Sequence, residues 1–263
     1  MGAPPLRLGA VLPWRKHDWP DRRWDPVPPH GHQASDSLLT TWRGQAAIVQ
    51  TFDFGDEGRA FGRFDGRRGD GGQLLLALPE GVAIAATEDG ATGLAYFQRA
   101  DCQAGGWLVA GRPTAAWQER VVGLRLLPSP DACPTALDLS LTRWRVLRTE
   151  LPFLREGQAG GVFSAPTLIS EHYSHASIPS SDHLERFWMA RGLGLVRWER
   201  WETSDPHGAA PNLVASGRCP DVAGADPPGP GWYRLDCRFW TNFVPGPARP
   251  ESWPAATPVA TRR

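Results

Sequence analysis

Between Ile169 and His175 (ISEHYSH) the chain gathers Glu171, His172, Tyr173 and His175 at the end of a strand-like run. A histidine titrates near neutrality and a tyrosine can pass its proton to a leaving oxygen, so the set holds a general base and a general acid. Polysaccharide β-elimination uses groups of this kind, with an arginine or a protonated side chain neutralising the uronate carboxyl. Alternation along a strand puts Glu171 and Tyr173 on one face and His172 on the other, so the strand must break for all of them to serve one site. The simpler reading is a histidine that only makes hydrogen bonds.

A second source of chemistry is the hairpin Ser181 to Thr203 (SDHLERFWMARGLGLVRWERWET), whose Gly-flanked turn allows the register to be set by hand. With a two- or four-residue loop, Ala190 falls opposite Leu195, Met189 opposite Val196, Trp188 opposite Arg197 and Phe187 opposite Trp198. Arg186 then meets Glu199, Glu185 meets Arg200, Leu184 meets Trp201 and His183 meets Glu202. Both strictly charged pairs are of opposite sign, as a correct antiparallel register requires. A three-residue loop would shift every pairing.

One face of this hairpin is apolar near the turn (Met189, Val196, Phe187, Trp198) and ends in a rim of Glu185, Arg200, His183 and Glu202. The other mixes Trp188, Trp201, Arg186, Arg197 and Glu199 with Ala190, Leu195 and Leu184. Indole rings stack on the C–H patches of sugars while guanidinium and carboxylate groups meet hydroxyls, so Arg186, Trp188, Arg197 and Trp201 are the expected substrate-binding residues. Glu199 is added to Glu171, His172, Tyr173 and His175 as a candidate catalytic group. An ordinary solvated sheet face with cation–π and ion pairs, each worth under about 1 kcal/mol, explains the same pattern. A glycosidase pair of Glu185 and Glu199 is disfavoured, because the two point to opposite faces and both carboxyls must flank one bond.

Other chemistry finds less support. His30 and His32 have metal-ligand spacing, but two ligands are not a site. Residues 52–72 are rich in aspartate without the ordered calcium-loop pattern, and turn aspartates account for them. No nucleophile elbow, P-loop, H-E-x-x-H or dinucleotide fingerprint is present, and no cofactor is implied.

The elements that must position these groups read as β-strands. AAIVQTFDF, AFGRFD, QLLLALP, VAIAATED, GLAYFQR, GWLVA, RVVGLRLL and LDLSLTRWRVL are short apolar or alternating runs separated by Gly, Asp and Pro. GVFSAPTLISEHY, the hairpin and WYRLDCRFWTNFV continue the style, with a Pro/Gly-rich loop from Asp205 to Gly231. Thr142 to Glu150 also admits a short helix. The spacing predicts an all-β, mainly antiparallel fold, a β-sandwich or jelly-roll-like domain over residues 33–245 with few short helices. A proline-rich N-terminal arm over 1–32 precedes it and a tail over 246–263 follows.

Composition narrows the partners. The 28 basic and 28 acidic side chains cancel, so no broad positive field exists for a phosphate backbone and nucleic acid is disfavoured. No apolar run approaches a membrane span, and Met1 to Pro13 has too short an apolar centre and too much proline for a signal peptide. Of the four cysteines, Cys102 with Cys133 and Cys219 with Cys237 are the local pairings, each worth about 3–4 kcal/mol in the loop-entropy model. Disulfides would imply an oxidising compartment. The expectation is a secreted or periplasmic protein that binds polysaccharide or oligosaccharide and carries groups able to cleave it, as a hydrolase or a lyase. The alternative is a non-catalytic structural or interaction protein.

Overall fold

The computed structural model describes residues 14–17, 34–53, 71–79, 81–89, 93–112, 114–155, 158–191, 194–204, 222–239 and 242–245. The fold is all-β and mainly antiparallel, with no helix among the described residues. Its strands are β1 (Trp14–His17), β2 (Ala34–Trp42), β3 (Gln45–Asp53), β4 (Gly71–Leu78), β5 (Gly81–Asp89), β6 (Gly93–Gln98), β7 (Trp107–Ala110) and β8 (Gln118–Leu127). They continue as β9 (Asp138–Arg155), β10 (Gln158–Tyr173), β11 (His183–Ala190), β12 (Gly194–Glu202), β13 (Tyr233–Phe239) and β14 (Asn242–Pro245).

Strand β9 organises the architecture. Its first half pairs with β8 and its last residues pair in parallel with β14, both on one edge. The path β9-β14-β1-β2-β3-β4-β5-β6-β8 therefore closes on itself. On its other edge β9 pairs with β10, and β10 to β13 follow as a run of antiparallel neighbours. Thr142 to Glu150, which the sequence also allowed as a helix, lies within β9. Period-two alternation decides the matter: Leu141 and Leu147 pack in clusters on one face, Trp144 and Val146 in another on the opposite face.

Strands β9 to β12 thus have two packed faces. The inner face meets the closed part of the sheet, where Trp144, Val146, Leu168 and Met189 join Leu75, Ile84, Phe97, Leu108 and Leu124. The outer face carries Ile169, Trp188 and Val196 against Cys237, Phe239, Val222 and Ala225, and Leu141, Tyr173, Leu184 and Trp201 against Trp232. The end of the Pro/Gly-rich loop, residues 222–232, is what covers this face. Gly224 has a φ of +90°, and a Cβ there would lie 2.6 Å from Ile169 Cδ1 and 3.3 Å from Trp188 Cη2. Only glycine brings the backbone so close to the indole at this φ without strain.

Cys102 and Cys133 form a disulfide, as their spacing suggested. Cys237 is disulfide-bonded too, and Cys219 lies outside the described residues. No helix among the described residues is long and apolar enough to cross a membrane.

Candidate functional site

The hairpin register forms as read from His183↔Glu202 through Trp188↔Arg197. Nearer the turn it departs: Met189 pairs with Leu195 and Ala190 with Gly194, with an irregularity between Trp188 and Met189. The loop therefore spans three residues, and a bulge at Val196 restores the register beyond it. Two consecutive residues of a bulged strand can share a face. Val196 accordingly packs beside Trp188 on the outer face, and Leu195 packs with Phe187 on the inner one. This reverses the sides expected for Leu195 and Val196.

The register lines up one charged row across four strands. Arg143 pairs with Glu171, Glu171 with Arg186, and Arg186 with Glu199. Contacts follow the row. Glu171 accepts hydrogen bonds from Arg143 Nε, from Arg186 Nε at 2.8 Å and from the Tyr173 hydroxyl at 2.7 Å. Glu199 accepts from Arg186 Nη1 at 3.0 Å, Arg197 Nε at 2.8 Å and Trp201 Nε1 at 2.9 Å, with Arg234 Nη1 at 3.5 Å. Glu171, Glu199, Arg186 and Arg197 are all essentially inaccessible to solvent.

Burial and neighbouring charges compete at Glu199, Arg186 and Arg197. Burial works against the Glu199 carboxylate, but Arg197, Arg186 and Arg234, with the Trp201 N–H, outweigh it and hold its pKa below the ordinary value. Burial likewise opposes the Arg186 charge, and Glu171 and Glu199 overcome it and raise the pKa. For Arg197 burial prevails over Glu199 and the pKa is lowered. The Tyr173 phenol is pushed well above its usual range, first by burial and then by the neighbouring Glu171 charge to which it donates.

An open sugar-binding face is therefore not what these residues make. Trp188 and Trp201 are buried beneath residues 222–232 together with Arg186, Arg197 and Glu199. Stacked guanidiniums, Arg186 over Trp201 at 5.3 Å and Arg197 over Trp188 at 5.5 Å, occupy the space near the rings. The solvated-face alternative fails for the same reason. The opposed pointing of Glu185 and Glu199 does hold: Glu199 is in the outer row, while Glu185 pairs with Arg200 near the contact of Arg200 with Glu202.

The ISEHYSH set is divided as strand alternation required, because β10 runs unbroken to Tyr173. His172 is on the inner face, fully buried, with Trp107 and Phe187 rings at 4.4 and 5.2 Å. Its tautomer follows from one proton count. The Ser170 hydroxyl has a single hydrogen, which goes to the Val109 carbonyl at 2.6 Å, so the 2.7 Å contact with His172 Nε2 requires the imidazole N–H to donate. Burial lowers the His172 pKa to about 3, so the ring is neutral at pH 7.

His175 is exposed in the turn after β10. Its Nδ1 lies 3.0 Å from Ser174 Oγ, and Ser174 Oγ donates to Asp182 at 2.8 Å. In a nucleophilic triad the histidine stands between serine and carboxylate. Here the serine stands between them, so this trio fixes a turn and activates no hydroxyl.

Sequence reasoning missed Arg143, Arg145, Arg234 and Trp117 as members of the outer cluster. The guanidiniums of Arg143 and Arg145 each lie 4.4 Å from the Trp117 ring. An alternating strand reading of TRWRVL would have placed both arginines on one face, but nothing in the sequence tied Trp117 to them. His30 and His32 lie outside the described residues, within which no group of three or more potential metal ligands occurs. No protein-family model, no curated protein and no solved structure matches the chain.

Proposed function

We propose that the protein is a non-catalytic binding protein of an oxidising compartment, secreted or periplasmic, and that its partner class is polysaccharide, met outside a locked Arg–Glu core. The observation that carries the first part is the commitment of the proton-transfer groups. Glu171 and Glu199 each accept several charge-assisted hydrogen bonds in the buried row, Tyr173 gives its hydrogen to Glu171, and His172 is neutral on the opposite side of the sheet. A general acid or base must reach the proton it moves, and these groups face protein on every side. The disulfide Cys102–Cys133 supports the compartment, since such bonds persist where thiols are oxidised.

The test is incubation of the full chain with neutral and acidic polysaccharides, following retention on the polymer, new reducing ends and absorbance of unsaturated uronates together. Retention without either product signal is expected. New reducing ends or unsaturated products, absent from a mock preparation, would overturn the non-catalytic reading.

A reading as a protein-interaction module draws on Val121 and Leu139, 46% and 54% exposed on neighbouring cross-strand pairs of β8 and β9. It expects no retention on any polymer and concentration-dependent association in size-exclusion chromatography. Val121→Asp would abolish that association.

A further inference from the structure

The charged row on the outer face has a neighbour that is not balanced. Two residues along β9 from Arg143, Arg145 stands opposite Ile169, Ile169 opposite Trp188, and Trp188 opposite Arg197. The pairing that gives Arg143 a glutamate thus gives Arg145 an isoleucine. Among the described residues no carboxylate lies within ion-pair distance of Arg145, and its Nε is buried without a hydrogen-bond acceptor.

Arg145 also lies among other guanidinium groups. Arg143, Arg145, Arg186, Arg197 and Arg234 face Glu171 and Glu199, with exposed Asp226 at the edge as a third carboxylate acting on Arg145. Uncompensated charge in a partly desolvated setting is costly, and the remedy is a counter-charge. Burial, and then Arg143 and Arg186, push the Arg145 pKa below its ordinary value against the pull of Glu171 and Asp226. A guanidinium does not lose its proton near neutrality, so the charge is not removed by titration.

Unlike Arg186 and Arg197, this end of the cluster reaches solvent. Arg143 is 16% exposed, and Arg145 and Trp117 are half-buried beside it. The planar fork of arginine matches a carboxylate or sulfate through two parallel N–H···O contacts.

We infer that Arg145, with Arg143 and Trp117 beside it, forms a binding site for an oxyanion of the carboxylate or sulfate-ester kind that acidic polysaccharides carry. The inference deepens the proposed glycan-binding reading and rests on it for the polymer, though not for the anion.

The experiment uses the full chain, Arg145→Gln and Arg145→Lys. Affinity is measured for polygalacturonate oligomers, sulfated dextran oligomers and neutral dextran, and the unfolding midpoint is followed against inorganic sulfate with chloride at matched ionic strength. Losing one charge-assisted bidentate contact should weaken the acidic oligomer about tenfold to a hundredfold in Arg145→Gln. Arg145→Lys, which keeps the charge without the fork, should fall between. Neutral dextran should bind the parent and both variants alike. A merely structural Arg145 would instead lower the ligand-free midpoint in Arg145→Gln and leave the response to the acidic oligomers and sulfate unchanged, which would overturn the inference. Equal affinity of the parent and Arg145→Gln for the acidic oligomers would also overturn it while sparing the glycan-binding reading. Stabilisation by inorganic sulfate that is lost in Arg145→Gln, with no polymer bound, would support the anion site and overturn the glycan reading. No response to any oxyanion would overturn the inference outright.

Discussion

On the outer face of β9 to β12, Glu171 and Glu199 are buried as ions, each surrounded by guanidinium and other N–H or O–H donors. On the inner face, one residue along β10 from Glu171, His172 is buried as a neutral ring between Trp107 and Phe187. The same strand therefore serves two electrostatic regimes at the spacing of adjacent residues. An interior keeps a charge only where the register supplies several partners, and where it supplies one hydroxyl the group gives up its charge. The outer face gains an ordered charged row and depends on every member of it. The inner face has no such dependence, and it leaves His172 Nδ1, Thr142 Oγ1 directly opposite it, and Trp107 Nε1 without partners among the described residues.

The hardest blow to this contrast is Glu199→Ala. It strands Arg186, Arg197 and Arg234 around an empty position, and removal of one partner from a buried ion network costs about 3–5 kcal/mol. Chemical denaturation should show that loss. Glu199→Gln, which keeps an acceptor oxygen, should lose less, and equal losses would mean that the charge is not what holds the row.

Next in size is Gly224→Ala. The new methyl would enter the space of Ile169 Cδ1 at a φ of +90°, and strain plus overpacking together should cost about 2–4 kcal/mol. Because residues 222–232 cover Trp188 on the outer face alone, indole fluorescence should report increased exposure to water. No change in quenching would mean that the cover does not bear on the buried row.

How far these features could be read in advance depended on bulges. The β11–β12 pairs from His183 to Trp188 were legible because a three-residue loop and the bulge at Val196 shift the register by opposite amounts. The partnership of Arg143 with Glu171 was not legible. Counting inward from Arg155 and Gln158, a regular hairpin sets Glu171 opposite Thr142, on the other side of the sheet, and an irregularity between Ala159 and Gly161 moves it by one. Burial of Trp188 and Trp201 was hidden for another reason. Leu184 and Ala190 shared their face and hinted at a core, but the cover comes from a loop whose Pro/Gly composition reads as solvent-exposed turn. Composition and strand patterning carried the fold class; the chemistry of the candidate site turned on two single-residue shifts.

Acidity separates the two faces by window. His172 has a folded pKa of about 3 against about 6.5 in an unfolded chain, so between those values the unfolded state binds the extra proton and stability falls as pH falls. From pH 7 to pH 5 this amounts to about 2 kcal/mol. Glu199, with its folded pKa depressed, contributes stability that is present above the unfolded carboxylate range and is lost only as pH falls through the folded pKa. His172→Gln, which can still donate to Ser170, should remove about 2 kcal/mol of the loss between pH 7 and pH 5 and leave the strongly acid region unchanged. A parent and variant with parallel slopes would mean that the imidazole titrates as an exposed group does.

The smallest expected effect sharpens the contrast at a single atom. Tyr173→Phe keeps the ring against Trp232, 5.9 Å away, and deletes only the hydroxyl that donates to Glu171. A hydrogen bond to a charged acceptor contributes about 1.5–3 kcal/mol, but Glu171 keeps its contacts with Arg143 and Arg186, which places the loss near the lower end, at about 1–2 kcal/mol. Urea midpoints of the parent and Tyr173→Phe at pH 7 measure this loss. Equal midpoints would mean that the phenol stabilises the outer face through packing alone, and the row would then extend only as far as its arginines.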